Sequence, residues 1–252
     1  MIKVANITKE FPLNKEQKKE LDTSDKFTKA VEDLSFSCNP GEVYSLLGPN
    51  GAGKTTTLRM LSTVIQPSSG SIEICGIDAV KYPRDARMKI GFLTGSTGLY
   101  ARLNAHEIID YFASLYNVSA PALKERKAYL FDLLDMNGFA NKRIGKLSTG
   151  MKQKVSICRT MIHDPEVVIF DEPTSGLDVI TADSIIQLIR NCKAQGKTVL
   201  FSSHIMGEVD LLCDRLAIIH NGKLKHNGTM DAFRTEMSGQ SLTAAFINIV
   251  NS

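Results

Sequence analysis

Short apolar runs recur along this chain, and they follow two different periods. MIKVANI and LSFSC alternate apolar with polar positions, EVYSLLG, SIEICG and KIGFLT repeat short apolar runs, VVIF is unbroken, and KTVLFSS ends the series. Alternation predicts strands with one buried face, and an unbroken short run fits a strand covered on both. Elsewhere the period is helical: Ile185, Leu188, Ile189 and Cys192 stand at i, i+3, i+4 and i+7, with Gly196 fitting the end of that helix. Strands alternating with amphipathic helices predict an α/β domain with a largely parallel sheet, preceded by a β-rich N-terminal part. Pro40-Gly41 reads as a turn, and Asn221-Gly222, between two strand-like runs, as a tight hairpin.

After KIGFLT the texture changes. AHEIIDYFASLYNV and PALKERKAYLFDLLDMNGF carry helical patterns with no strand signal, which predicts a helical subdomain over roughly residues 95–160, inserted in a single domain spanning 1–252. Between Phe11 and Ala30, PLNKEQKKELDTSDKFTK mixes charges of both signs and lacks apolar anchors. A solvated excursion between two strands is the expectation there, with a binding arm as the alternative. Near the other end, LTAAFINIV reads as a docked strand, a docked helix or a loose tail.

Composition removes some partners. The 252 residues include 30 basic and 27 acidic ones, a net charge of +3, and no long basic stripe gathers them, so no nucleic-acid partner is expected. Cys38, Cys75, Cys158, Cys192 and Cys213 are scattered singly in apolar segments, the pattern of reduced core thiols in a cytoplasmic protein. No apolar run approaches the roughly 20 residues of a membrane span, and MIKVANITKEF holds no apolar signal region. A soluble chain able to dock on a membrane protein is expected.

The chemistry starts at Gly48. GPNGAGKT, comprising Gly48, Pro49, Asn50, Gly51, Ala52, Gly53, Lys54 and Thr55, satisfies GxxxxGK[ST] between a predicted strand and a predicted helix. The glycines let backbone N–H groups curl around phosphate oxygens, and the helix N-terminus adds partial positive charge. Lys54 is expected to reach the β- and γ-phosphates, Thr55 to ligand Mg²⁺ held with the nucleotide, and Thr56 to add a phosphate contact. VVIFDE then ends a strand in two carboxylates at the sheet's carboxyl edge. Asp171 is expected to hold Mg²⁺ and Glu172 to orient or deprotonate the attacking water; the plainer reading is that the pair caps the next helix.

With LSTGMKQKVSICRTMIHDP before the acidic pair and SGLD and SSH after it, the order of motifs resembles the ATP-binding subunits of ABC transporters from Ile2 to about residue 230. That family's signature is typically LSGGQ, and Leu147, Ser148 and Gly150 keep three of its positions. The signature would open a helix with Met151, Val155, Cys158 and Ile162 on its apolar side and Pro165 beyond its end. The resemblance implies an α/β phosphate-loop core that binds ATP and Mg²⁺. It also implies a second ATPase subunit facing the first head to tail, as a homodimer if the copies are identical. Ser148, Gly150 and Asp178 would then meet the partner's nucleotide. His204 resembles the switch histidine that contacts the γ-phosphate, although a histidine at a strand end can be purely structural. Phe11 stands where the family places an aromatic against adenine, although a phenylalanine there can equally be core.

One position departs from the family. After the strand IGFL the family carries a glutamine that touches Mg²⁺ and the attacking water, and here Gly95 stands there between Thr94 and Ser96. Hydrolysis is expected to survive because Lys54, Thr55, Asp171, Glu172 and His204 are all present, with a non-hydrolysing nucleotide sensor as the alternative. GLYARLNAHEII is similar to ATPases of exporters with small two-subunit membrane domains, and FLTGSTGLY with LSTGMKQK to those of bacterial sodium efflux. The resemblance therefore implies a separate transmembrane permease, a position on the inner face of the cell membrane, and sodium as cargo. A soluble family member acting on nucleic acid or ribosomes is the third reading.

Overall fold

The structure, a computed structural model, describes residues 1–20, 22–94, 98–237 and 239–251. Among these residues the strands are β1 (Ile2–Pro12), β2 (Phe27–Cys38), β3 (Val43–Leu47), β4 (Ser69–Ile74), β5 (Ile77–Asp78), β6 (Ile90–Leu93), β7 (Val167–Asp171), β8 (Thr198–Ser202), β9 (Arg215–His220) and β10 (Lys223–Thr229). Four of them form an antiparallel sheet in the order β2-β1-β4-β5, and six form a second sheet in the order β10-β9-β3-β8-β7-β6. The run from β9 to β6 is parallel, and β10 pairs antiparallel with β9 at the edge. Asn221 (φ 48°) and Gly222 (φ 75°) make that final turn with both residues left-handed, as a two-residue hairpin requires.

Every residue of β3, β7 and β8 is buried, which explains why their sequences run apolar without strict alternation. Successive side chains point to opposite faces, so neighbours go to different cores. Val168, Phe170, Val199 and Phe201 join one apolar cluster; Val167, Ile169, Tyr44 and Leu46 join the other. The second core lies between the two sheets and takes in Leu58 and Leu61 of α2 (Lys54–Leu61). Each fully buried Ile, Leu or Phe adds about 1.5–3 kcal/mol by leaving water, so these two faces dominate stability.

The first core lies between the other face of the six-stranded sheet and the later helices. Besides α1 (Lys15–Glu20), α2 and α3 (Pro83–Met88), these are α4 (Ala105–Leu115), α5 (Ala120–Leu133), α6 (Thr149–Met161), α7 (Val179–Ala194), α8 (Met206–Leu212), α9 (Met230–Glu236) and α10 (Leu242–Asn251). Between β6 and β7 the described residues hold α4, α5, a 3-10 turn (Ile144–Lys146) and α6, and no strand. Asn104 starts α4 with a reciprocal capping box, its side chain accepting from the Glu107 N–H while Glu107 accepts from the Asn104 N–H. Ile108 and Ile109 of α4 and Phe131 of α5 share one core with Phe170 and Phe201 of the sheet.

Three features differ from the sequence pattern or settle it. β1 and β2 pair as far out as Pro12↔Phe27, so the excursion is reduced to residues 13–26 with α1 inside it. The outer strands show no apolar rhythm because Phe11, Pro12 and residues 27–29 are exposed; backbone pairing alone extends them. The segment LTAAFINIV is a docked helix, α10, with Ala245 buried and Phe246, Ile249 and Val250 packed against the first core. All five cysteines are free, and burial pushes the Cys38 and Cys192 thiols up to about 12, as inert core groups. Among the described residues no helix is long and apolar enough to cross a membrane.

Candidate functional site

The loop from Gly48 to Gly53 links β3 to α2, and its backbone admits no side chain at two points. A Cβ on Gly48 would stand 2.3 Å from the Ile219 carbonyl oxygen. One on Gly53 would meet the Ala30 carbonyl at 2.5 Å, and Gly53 also holds φ 107°. Ala52 N–H donates to Pro49 O, and Gly222 N–H donates to Ala52 O, so the far hairpin braces the loop. No side chain caps α2, which leaves the first-turn amides for an anion. The Lys54 ammonium folds back over the loop, donating to Gly48 O at 2.6 Å and Pro49 O at 3.2 Å. Lys54 is only 5% exposed; burial lowers its pKa, and Glu172 and Asp171 partly restore it. Thr55 is exposed and Thr56 half-buried on the first turn, and Gly51 and Asn50 form the exposed crest.

Sheet order brings the acidic pair to this loop, since β8 alone separates β3 from β7. Asp171 Oδ1 accepts from Ser202 Oγ at 2.7 Å and from Thr55 Oγ1 at 3.3 Å. Glu172 has φ 48°, a left-handed conformation costing a non-glycine residue about 1–2 kcal/mol. Its N–H donates to Ser202 Oγ at 3.0 Å and Ser202 O at 3.2 Å, and its carboxylate Oε2 lies 3.4 Å from His204 Nδ1. Neither carboxylate caps the following helix: Asp178 caps α7. His204 is about half exposed beside Glu172, so it is not a core histidine. Thr55 and Asp171 supply hard oxygen donors, which fits Mg²⁺, an ion that takes one or two protein oxygens and substrate phosphates.

A second cluster forms where two helices begin. Ser148 Oγ accepts from Met151 N–H at 3.2 Å and caps α6. Asp178 accepts from Thr181 N–H and Thr181 Oγ1, both at 2.9 Å, and these bonds hold its carboxyl below the usual range. Gly150 lies against this pair, where an added Cβ would sit 3.2 Å from Thr181 Oγ1 and 3.5 Å from Asp178 Oδ2. Among the described residues no hydrogen bond joins Ser148, Gly150 or Asp178 to the loop at 48–56. Phe11 is 37% exposed at the end of β1, with Lys9 Nζ 5.2 Å from its ring centroid, so it is not core. Gly95 and Ser96 lie outside the described residues.

Two residues were not singled out by the sequence pattern. Ser202 bridges both acidic residues, and its signal was a hydroxyl closing an otherwise apolar buried strand. Gln153 of α6 donates from Nε2 to Pro173 O at 3.0 Å, tying the helix of the second cluster to the turn after Glu172. No sequence spacing announces that contact.

A phosphate loop on one parallel strand, with carboxylates at the carboxyl end of the strand two places along, defines a phosphate-loop ATPase. Residues 31–175 match the family described as ABC transporter. The chain is 42% identical over 224 residues to the ABC transporter ATP-binding protein NatA of Bacillus subtilis (strain 168), covering 88% of this chain and 91% of that one. Among solved structures, the ATP binding subunit of an ABC transporter superposes with TM-score 0.86 at 27% identity and covers 99% of both chains. The ATP-binding cassette MJ0796, in a dimeric post-hydrolysis state bound to ADP and Pi, gives TM-score 0.79 at 25% identity over 91% of this chain and 99% of that one. This chain belongs to the ABC transporter family and has the fold of its ATPases.

Proposed function

We propose that this chain hydrolyses ATP to drive a membrane exporter, working as two copies set head to tail on the inner face of the membrane against a separate transmembrane permease. The observation that carries this reading is the continuous series Thr55, Asp171, Ser202, Glu172 and His204 beside the Lys54 ammonium. The dimeric state of the solved cassette and the ATP-binding role named for the Bacillus relative support it.

The loop amides and Lys54 hold the β- and γ-phosphates, Lys54 exchanging its carbonyl partners for phosphate oxygens. Phe11 stacks on the adenine. Thr55 and Asp171 hold Mg²⁺, which when bound neutralises charge on the phosphate oxygens. Glu172 takes a proton from the attacking water, and His204 steadies that carboxylate while reaching the γ-phosphate. Ser148, Gly150 and Asp178 face the nucleotide on the other copy's loop. Closure on ATP and reopening after hydrolysis move the permease.

Steady-state phosphate release with ATP and Mg²⁺, run for wild type beside Glu172→Gln, tests the assignment. Turnover in the wild type alone, with the variant accumulating as an ATP-loaded dimer, is the expected result. Equal turnover in both would remove Glu172 as the base. Gly95 in the glutamine's place is the one observation favouring a non-hydrolysing sensor; a permease complex that binds ATP and never releases phosphate would establish it. Sodium is the cargo we infer from the FLTGSTGLY and LSTGMKQK segments, and ATP-driven extrusion of radiolabelled sodium by the reconstituted complex tests that separately.

A further inference from the structure

Glu172 occupies a backbone conformation that its own side chain does not favour, so something else selects it. Pro173 follows, and a residue before proline is pushed out of the right-handed helical region. That leaves an extended or a left-handed backbone, and Glu172 adopts the left-handed one at φ 48°. On its N-terminal side the Ser202 hydroxyl accepts from the Glu172 N–H at 3.0 Å while donating to Asp171 Oδ1 at 2.7 Å. On its C-terminal side Gln153 Nε2 donates to the Pro173 carbonyl at 3.0 Å. Ser202 is fully buried and Gln153 half-buried, so both bonds are sheltered from water.

The two holders come from different places. Ser202 ends β8, two residues before His204. Gln153 sits on α6, whose first residues follow Ser148 and include Gly150. A shift of α6 therefore pulls on the Pro173 carbonyl, and through it on the peptide that fixes Glu172. We propose that Ser202 and Gln153 are positioning residues that hold Glu172 in its reacting orientation, and that Gln153 makes this orientation depend on the helix that meets the partner's nucleotide. The inference rests on the reading of Glu172 as the base. Nothing in it requires either side chain to touch substrate.

The test pairs kinetics with amide hydrogen exchange at residue 172 in the full chain, using ATP as the probe. Ser202→Ala leaves the Glu172 amide only its 3.2 Å bond to the Ser202 carbonyl, so it should speed exchange of that amide and lower kcat about tenfold with KM within about twofold, since positioning is weakened and ground-state binding kept. Ser202→Thr retains the hydroxyl and should stay within about threefold of wild type on both measures. In wild type, ATP should slow exchange at 172; in Gln153→Ala, which binds ATP equally well, ATP should leave it unchanged. Ser202→Thr behaving like Ser202→Ala would overturn the bridging role, because the loss would then be one of packing. An ATP response intact in Gln153→Ala would overturn the coupling. If instead Glu172→Gln kept wild-type phosphate release, the base assignment would fall, and the exchange measurements would still report whether the clamp exists.

Discussion

The two clusters of the site are built in opposite ways. Around the phosphate loop, side chains from α2, β7 and β8 bond to one another, and Lys54 and Asp171 are 5% and 8% exposed. In the second cluster, the side-chain oxygens of Ser148 and Asp178 are spent capping their own helices at the surface, with Gly150 lying against the Asp178 cap. The residues next to Asp178 sharpen the contrast: Val179 and Ile180 stand 85% and 79% exposed. Folding alone assembles the first cluster. The second is laid out by folding and, in the proposed head-to-tail pair, completed by the other copy's nucleotide.

Substitutions should separate the two clusters by what they cost. Glu172→Gln should lower kcat by roughly 1,000-fold, within the range of a lost general base, with ATP affinity kept; phosphate release and equilibrium binding check this. Lys54→Ala should weaken ATP binding about 100-fold, the scale of one lost charged phosphate contact, while Tm falls little because a buried ammonium no longer needs desolvating. Calorimetric titration and a melting curve read the two effects apart. Ser148→Ala should do the reverse for the isolated chain, costing about 1 kcal/mol of stability and about 2–4 °C of Tm through the lost cap, with ATP affinity of the single chain unchanged. A Ser148→Ala protein with wild-type Tm would break the contrast.

The smallest effect concerns pH. Bonds from Thr181 lower the Asp178 pKa below its ordinary 3.8, so the stability this cap adds is present above that value and is lost as pH falls through the folded-state pKa. Asp178→Asn should flatten the acid end of the stability curve below about pH 4 and leave neutral stability nearly unchanged, measured as denaturation midpoints across pH.

Much of this was readable in the chain because local chemistry and global position coincide. Gly48 and Gly53 admit no other residue, Asn221-Gly222 suits only a primed turn, and VVIFDE announces a buried strand with its charges at one end. What escaped depends on partners distant in sequence. Ser202 and Asp171 are brought together by the pairing of β7 with β8, and Gln153 reaches Pro173 across a helix–loop contact that no periodicity encodes. The outer ends of β1 and β2 were hidden for a different reason: with Phe11, Pro12 and residues 27–29 exposed, they need no apolar alternation to pair. Phe11 was ambiguous because one aromatic at a strand end serves equally as core or as an open platform, and its 37% exposure removes the core reading.

The strand that delivers Asp171 and Glu172 is flush on both sides, with Val168 and Phe170 facing one core and Val167 and Ile169 the other. Its register is therefore policed by two juries at once. Deleting a single residue within it would trade the occupants of both cores and turn Asp171 to the opposite side of the sheet, away from Thr55. Few strands in the molecule tolerate so little drift, and this one places its two carboxylates because it cannot slide.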